Sequence, residues 1–146
     1  MLRKQWSLQS FACLADLIQN ETDLNVVLLW GPKEKKQVEI VDNEMKTDPL
    51  LSPPTDLSQA AALVKTCKLL ICNDGGLNHL SVTTKTPTLA IFGTIEPKVW
   101  SPASKFSHHF HLHDPDFDSF QDNSFGISAQ NVFDEVKRIL NLKLNN

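Results

Sequence analysis

The sequence predicts an α/β fold, a doubly wound, mostly parallel sheet with helices on both faces. Three apolar runs that end in turn residues are typical of buried strands: residues 25–31, 68–73 and 88–93. Segments with helical periodicity separate these runs, and such alternation is typical of a parallel sheet. A chain of 146 residues has room for one hydrophobic core, so we expect a single domain over residues 1–146.

The helices are predicted from apolar residues that recur on one face. They span residues 7–20, residues 32–46, a segment after Asp56, residues 77–84 and a C-terminal segment that begins near Ser128. Pro32 suits a first helical position, which needs no N–H, and Asp56 with Gln59 has the spacing of a capping box. Residues 48–54, which contain prolines, and residues 108–113 are predicted to form edge strands.

Composition excludes several classes of protein. The formal net charge is −3, and scattered Lys and Arg residues form no basic stripe, so nucleic-acid binding is not expected. No apolar run approaches the roughly 20 residues of a membrane helix, and no secretory signal is evident. We therefore expect a cytoplasmic location. Cys13, Cys67 and Cys72 lack metal-ligand spacing and have apolar neighbours, so all three are expected to be reduced, packed thiols.

The loop from Asn73 to His79 follows a predicted strand and opens a helix. Its paired glycines permit close approach of a ligand, and the helix N-terminus suits a pyrophosphate. Asp74 would repel phosphate, so its expected partners are sugar hydroxyls, while His79 would donate to a phosphate or hold the loop. The alternative is structural: the glycines make a tight turn, Asp74 caps the helix and His79 packs.

A second loop, Gly31 to Glu34, also joins a strand end to a helix. A carboxylate at this place can accept hydrogen bonds from both hydroxyls of a ribose. The alternative is that Glu34 only complements the positive end of the helix dipole.

The histidines at positions 108, 109, 111 and 113 raise the question of a metal site. No Cys or carboxylate cluster stands at matching spacing, so a polar edge strand without metal is the preferred interpretation. Neither a G-x-S-x-G turn nor a G-x-G-x-x-G turn occurs, which argues against a serine hydrolase and an NAD-dependent oxidoreductase.

Residues 69–93 resemble the signature of the lipopolysaccharide heptosyltransferases, glycosyltransferase family nine. That signature joins an Asp-Ser/Thr-Gly-x-x-His-Leu motif to a P-T-x-A-x-F-G strand. Three further motifs resemble the family in the same order: Lys4-x-Trp6, Gly31-x-x-Glu34 and the segment 96–102. The resemblance covers roughly residues 3–102.

The resemblance implies a Rossmann-like domain, the C-terminal donor-binding half of a type B glycosyltransferase. Such enzymes transfer heptose from ADP-heptose onto the lipopolysaccharide core, at the inner face of the inner membrane. The nucleotide-sugar is a substrate, and neither a cofactor nor a metal is expected. The residues implied to bind this donor are Lys4 at the phosphates, Glu34 at the ribose, and Asp74, Gly75, Gly76, Leu77 and His79 at the pyrophosphate and heptose.

The sequence departs from the family in two positions and in extent. Gly75 stands where Ser or Thr is usual, and Ser7 stands where Pro is usual. The acceptor domain, which carries the catalytic carboxylate, is not in this sequence, so no catalytic residue is assigned and the lipopolysaccharide acceptor would require a separate domain. The alternative function is a non-catalytic remnant or interaction module that keeps the fold.

The strand that precedes Lys4 in the family is also not in this sequence. Its usual place is central, so the strands near Asn25 and Lys68 should each lack a ladder partner on one side. A second copy of the chain would be one way to complete the sheet.

Overall fold

The computed structural model describes residues 4–141, whose contacts divide into two compact units. The sheet unit comprises the described part of Met1–Trp6 together with Ala61–Ile127. The helical unit comprises Ser7–Ala60 together with the described part of Ser128–Asn146. The expectation of a single domain stays a prediction.

Helices and strands alternate along the described residues as the sequence predicts. Their order is α1 (Leu8–Glu21), β1 (Val27–Leu28), α2 (Lys35–Glu44), β2 (Leu50–Leu51), α3 (Leu57–Thr66), β3 (Leu70–Asn73), α4 (Gly76–Thr84), β4 (Thr88–Ile91), α5 (Pro97–Trp100), a 3₁₀ helix (Pro102–Ser104), β5 (His109–Leu112) and α6 (Ala129–Leu140). None of the helices in this described part is long and apolar enough to cross a membrane.

The sheet unit contains a three-stranded parallel sheet in the order β3-β4-β5. Leu70 on β3 lies opposite Thr88 on β4, which in turn lies opposite His109 on β5. All four residues of β4 are buried, because this strand has a partner on each side, and α4 packs against β3 and β4. The predicted parallel sheet and the predicted edge strand near residue 109 are therefore confirmed.

The helical unit is built on α1, which packs against α2 and α6. The side chain of Ser7 accepts a hydrogen bond from the N–H of Ser10 and so caps α1. Ser128 and Asn131 form a capping box at the start of α6. Strands β1 and β2 add a short parallel pair.

The predicted capping box before α3 is also confirmed. Asp56 accepts from the N–H of Gln59, and Gln59 accepts from the N–H of Asp56, at 2.8 and 3.0 Å. Each interaction satisfies an amide that the helix leaves without a partner. These two local contacts mark the start of α3.

Two predictions about the first strand and its helix are wrong in extent. Residues 25–31 were expected to form an inner strand buried on both faces, but β1 covers only Val27–Leu28, both half-buried. Residues 32–46 were expected to be helical from Pro32, but α2 begins at Lys35. The reason is a turn in which the N–H of Glu34 donates to the carbonyl of Gly31, and this turn occupies the residues that would have formed the first helical turn.

Strands β1 and β3 each have one paired edge. Among the described strands, β1 is hydrogen-bonded to β2 and β3 to β4, each in its own unit. Among the described strands, each of these two therefore has a ladder partner on one side, as predicted.

The three cysteines are free thiols in different environments. Cys72 on β3 is buried, and its burial, together with the charge of Asp74, raises its pKa to about 12. Cys67 is half-buried, and burial raises its pKa as well. The expectation of three packed thiols is wrong for Cys13, which lies on an exposed position of α1, because the neighbouring Ala12 and Leu14 lie on the buried side.

Candidate functional site

The carboxyl end of β3 brings two of the predicted site residues together. The amine Nζ of Lys4 lies 3.2 Å from Oδ2 of Asp74, although the two residues are 70 positions apart. The Asp74 side chain is only 6% exposed, whereas that of Lys4 is 42% exposed. A buried carboxylate needs a charged or hydrogen-bonding partner, and Lys4 supplies it.

Residues 4–6, here called the Lys4 arm, are held at this place by Trp6. The indole of Trp6 is fully buried, and its N–H donates to the carbonyls of Ser124 and Ile127, each at 3.0 Å. The main-chain N–H of Trp6 donates to Oδ1 of Asn73 at 2.9 Å. No individual role was predicted for Trp6 or Asn73. The Lys4-x-Trp6 motif was the available signal, but the partners of the indole lie 118 and 121 residues away.

Helix α4 begins directly after Asp74 with two exposed glycines. Gly75 is the N-cap residue and provides no side-chain hydrogen bond, and the N–H of Asn78 donates to its carbonyl. The first amides of a helix lack partners within it, so the start of α4 presents N–H groups and the positive end of its dipole. Asp74 does not cap this helix, contrary to the structural alternative, because Gly75 holds that position.

The next residues of α4 differ in burial. His79 is exposed and Leu77 is half-buried, so His79 does not pack in the way the structural alternative required. Asn78 is 1% exposed, and neither polar atom of its side-chain amide has a hydrogen-bond partner in the part of the chain that the structure describes. A buried amide without partners is uncommon in folded proteins. No pattern in the sequence singles out Asn78.

Glu34, the predicted ribose contact, lies in the helical unit after β1. Its Oε2 accepts a hydrogen bond from the N–H of Gly31 at 2.8 Å. Glu34 is the N-cap residue of α2, but its side chain makes no capping bond to that helix. The carboxylate therefore closes the preceding turn, and this one bond uses only one of its two oxygens. In the same unit the indole N–H of Trp30 donates to the carbonyl of Ser52 at 3.1 Å.

The histidines of β5 lie in contrasting environments. His109 is buried, and its pKa is lowered to about 4. Burial is the main cause, and the charges of the nearby His108 and His79 add to it. His111 is more exposed than His109. Its pKa is lowered as well, first by desolvation of its ring and then by the charge of His113. Within the residues described, no group of three His, Cys, Asp or Glu side chains is arranged to hold a metal ion.

A cavity of about 370 Å³ lies in the sheet unit, just beyond the end of β4. Thr94 and side chains of the 119–125 loop line it. This loop is polar and rich in turn residues, and no role was predicted for it. None of the predicted donor-binding residues lines this cavity.

Comparison with known proteins gives a consistent result. The family model of glycosyltransferase family 9 (heptosyltransferase) matches residues 2–125. Lipopolysaccharide heptosyltransferase 2 of Salmonella typhimurium is 28% identical over 106 residues, which are 69% of this chain and 30% of that protein. The chain thus spans less than a third of the length of this relative.

Solved structures show the same relation. The glycosyl transferase family 9 protein of Veillonella parvula superposes with a TM-score of 0.82 at 24% identity, covering 94% of this chain and 42% of that one. The ADP-heptose lipopolysaccharide heptosyltransferase II of E. coli gives 0.79 at 23% identity, with 94% and 42% covered. The fold is therefore that of part of these larger proteins, and the chain belongs to glycosyltransferase family 9, the heptosyltransferases.

Proposed function

We propose that this chain binds the nucleotide-sugar donor of a heptosyltransferase, with ADP-heptose as the donor and the lipopolysaccharide core as the acceptor of the complete reaction. The observation that carries this proposal is the pairing of Lys4 with Asp74 beside the exposed start of α4. It places a cation, a carboxylate and the N-terminal amides of α4 at one end of β3. The E. coli relative is named for ADP-heptose and lipopolysaccharide.

The chemistry of this end of β3 fits a diphosphate linked to a sugar. Helix amides and a lysine ammonium are suited to phosphate oxygens, since both donate hydrogen bonds, the ammonium is positively charged, and the helix dipole has its positive end at these amides. Gly75 and Gly76 leave the approach open, because a Cβ added at either position would meet no atom within 4 Å. Asp74 has a second carboxylate oxygen for sugar hydroxyls, with Leu77 and His79 following on α4.

Glu34 is assigned to the adenosine ribose. Its carboxylate is oriented by the N–H of Gly31, so binding would not require the side chain to be ordered first. The remaining oxygen is available to accept from a ribose hydroxyl. Because a charge-assisted hydrogen bond contributes roughly 1.5–3 kcal/mol, loss of this group should weaken donor binding about tenfold or more.

The proposal is tested by calorimetric titration of the chain with ADP, and with UDP and GDP for comparison. We expect ADP to bind and to raise the melting temperature, with about 2.7 kcal/mol of stabilisation at 100 times its dissociation constant. Glu34→Ala should weaken ADP about tenfold. Glu44→Ala, at the exposed opposite end of α2, is the matched control and should leave affinity unchanged.

A second candidate is a module that keeps the fold without binding the donor. One observation favours it: with Gly75 as the N-cap residue, α4 has no side-chain hydroxyl at the phosphate position. Flat titrations with all three nucleotides, from a chain that unfolds cooperatively, would reject donor binding and support this candidate. ADP binding that Glu34→Ala leaves unchanged would reject the ribose assignment alone.

A further inference from the structure

We propose that Asn73 and Trp6 are positioning residues that hold the amine of Lys4 beside Asp74. Neither residue is assigned to donor binding. Both act on the Lys4 arm, which they attach to the carboxyl end of β3. The consequence for donor phosphates rests on the proposed function, but the placement of Lys4 does not.

The first argument is the reach of the arm. Both the side chain and the main chain of Trp6 are held in place. The buried indole donates to two carbonyls, and the main-chain N–H donates to Asn73. Two residues of extended chain span at most about 7 Å, so a fixed Trp6 limits how far Lys4 can move from the end of β3. Asp74 is the next residue after Asn73. The hydrogen bond to Asn73 therefore places the arm next to the carboxylate that Lys4 contacts.

The second argument is the chemistry of the ion pair. The Asp74 side chain is buried and needs a positive partner, whereas the more exposed Lys4 side chain would lose conformational freedom by staying in one place. An arm that is held in position reduces this entropic cost. A lysine ammonium has three N–H donors, so one bond to Asp74 leaves two for phosphate oxygens. Phosphate binding and the Asp74 contact are thus compatible.

The direct test measures the reactivity of the Lys4 amine without any nucleotide. The full chain is treated with a limiting acetylating reagent, and mass spectrometry gives the acetylation of Lys4 relative to Lys65, an exposed lysine of the same unit. We expect Asn73→Ala to raise this ratio about threefold, the size expected when a partly exposed ion pair is lost. Asp74→Asn removes the charge that Lys4 pairs with, so it gives the acetylation ratio of a fully released amine.

Trp6→Phe provides a second and independent variant. It keeps an aromatic ring in the core but removes the indole N–H that donates to Ser124 and Ile127. We expect it to raise the Lys4 ratio in the same direction, with circular dichroism confirming that the chain remains folded. An unchanged ratio in both folded variants, with a raised ratio in Asp74→Asn, would overturn the inference.

ADP titrations extend the test to the donor. Asn73→Ala should weaken ADP binding about threefold. It should also reduce the dependence of ADP affinity on salt concentration as much as Lys4→Met does. In the double variant, Asn73→Ala should add nothing to the effect of Lys4→Met, because both act through the same amine. A purely structural role would instead lower the melting temperature and leave the salt dependence unchanged. Absence of ADP binding by the wild-type chain would reject the proposed function, while the acetylation ratio would still decide this inference.

Discussion

The two units hold their candidate donor-binding groups in different ways. In the helical unit, Glu34 is held by Gly31, three residues earlier in the same turn. In the sheet unit, Lys4 and Asp74 are 70 positions apart and are brought together by the fold, with the indole of Trp6 anchored in the core two residues after Lys4. The local arrangement depends on a few adjacent residues, whereas the long-range one depends on the folding of its whole unit. A change in the core should therefore alter one group of site residues and spare the other.

The largest expected effect comes from Trp6→Ala. Truncation removes a fully buried indole and leaves two carbonyls without their donor, so the sheet unit should lose about 3–5 kcal/mol of its free energy of unfolding. Urea denaturation would measure this loss of free energy, and hydrogen exchange would show in which unit it occurs. Trp100→Ala is the matched control, because that side chain is 57% exposed and its loss should cost less than about 0.5 kcal/mol. A loss of less than 1 kcal/mol on Trp6→Ala would contradict the role given to the anchor.

Acid should destabilise the two units over different ranges of pH. His109 has its pKa lowered from 6.5 to about 4 by burial, so it is neutral in the folded sheet unit while the unfolded chain already takes up a proton. Its contribution to stability is complete above pH 6.5 and is lost as the pH falls towards 4, at up to about 1.4 kcal/mol per pH unit. His109→Leu should remove this part of the pH dependence.

In the helical unit Asp16 is an acid-sensitive group. Burial alone would raise the pKa of its carboxyl, but the N–H groups of Lys46 and Thr47 and the Thr47 hydroxyl outweigh burial and lower it below 3.8. This contribution is complete above pH 3.8 and is lost only below it. Hydrogen exchange of each unit between pH 7 and pH 3 would separate the two ranges. Equal losses in both units at pH 5 would contradict the assignment.

The smallest expected effect comes from Gly75→Ser, which restores the side chain usual in the family. The added Cβ meets open space, and the φ of −173° is extended backbone that serine adopts. A serine at the N-cap should stabilise α4 by a few tenths of a kcal/mol and tighten ADP binding about threefold, since the hydroxyl can donate to a phosphate oxygen. Gly76→Ala, which adds no donor, is the control. Unchanged ADP binding by the serine variant would show that this helix end does not face the phosphates.

The same division between local and long-range contacts separates what could be predicted from the sequence from what could not. Caps and helix faces depend on near neighbours, so the start of α1 at Ser7, the Asp56 box and the cap at Ser128 were all predicted correctly. The end of β1 and the start of α2 were not, because the side chain of Glu34 closes a turn that the helical periodicity does not reveal.

The chemical groups of the candidate site were predicted from the sequence, but the contacts that bring them together were not. The position of the Asp74 loop after a strand indicated an anion site, and the resemblance to the family added Lys4 to it. That the Lys4 amine contacts Asp74 in the folded chain could not be derived, because it depends on hydrogen bonds of Trp6 to residues more than 110 positions away. The buried Asn78 amide was missed for a similar reason, since helical spacing alone does not tell which polar side chain faces the sheet.

Among the strands that the structure describes, β3 pairs along one edge only, and this has a consequence for amide exchange with solvent. In a parallel ladder, alternate residues direct both main-chain polar groups to the same neighbour, and the N–H of Leu70 bonds to the carbonyl of Pro87 just before β4. The amides of Leu70 and Cys72 therefore face β4, and those of Ile71 and Asn73 face the opposite side. Deuterium should accordingly enter at every second residue of this strand first, and a chain segment that later occupies the open edge would be detected as selective protection of Ile71 and Asn73.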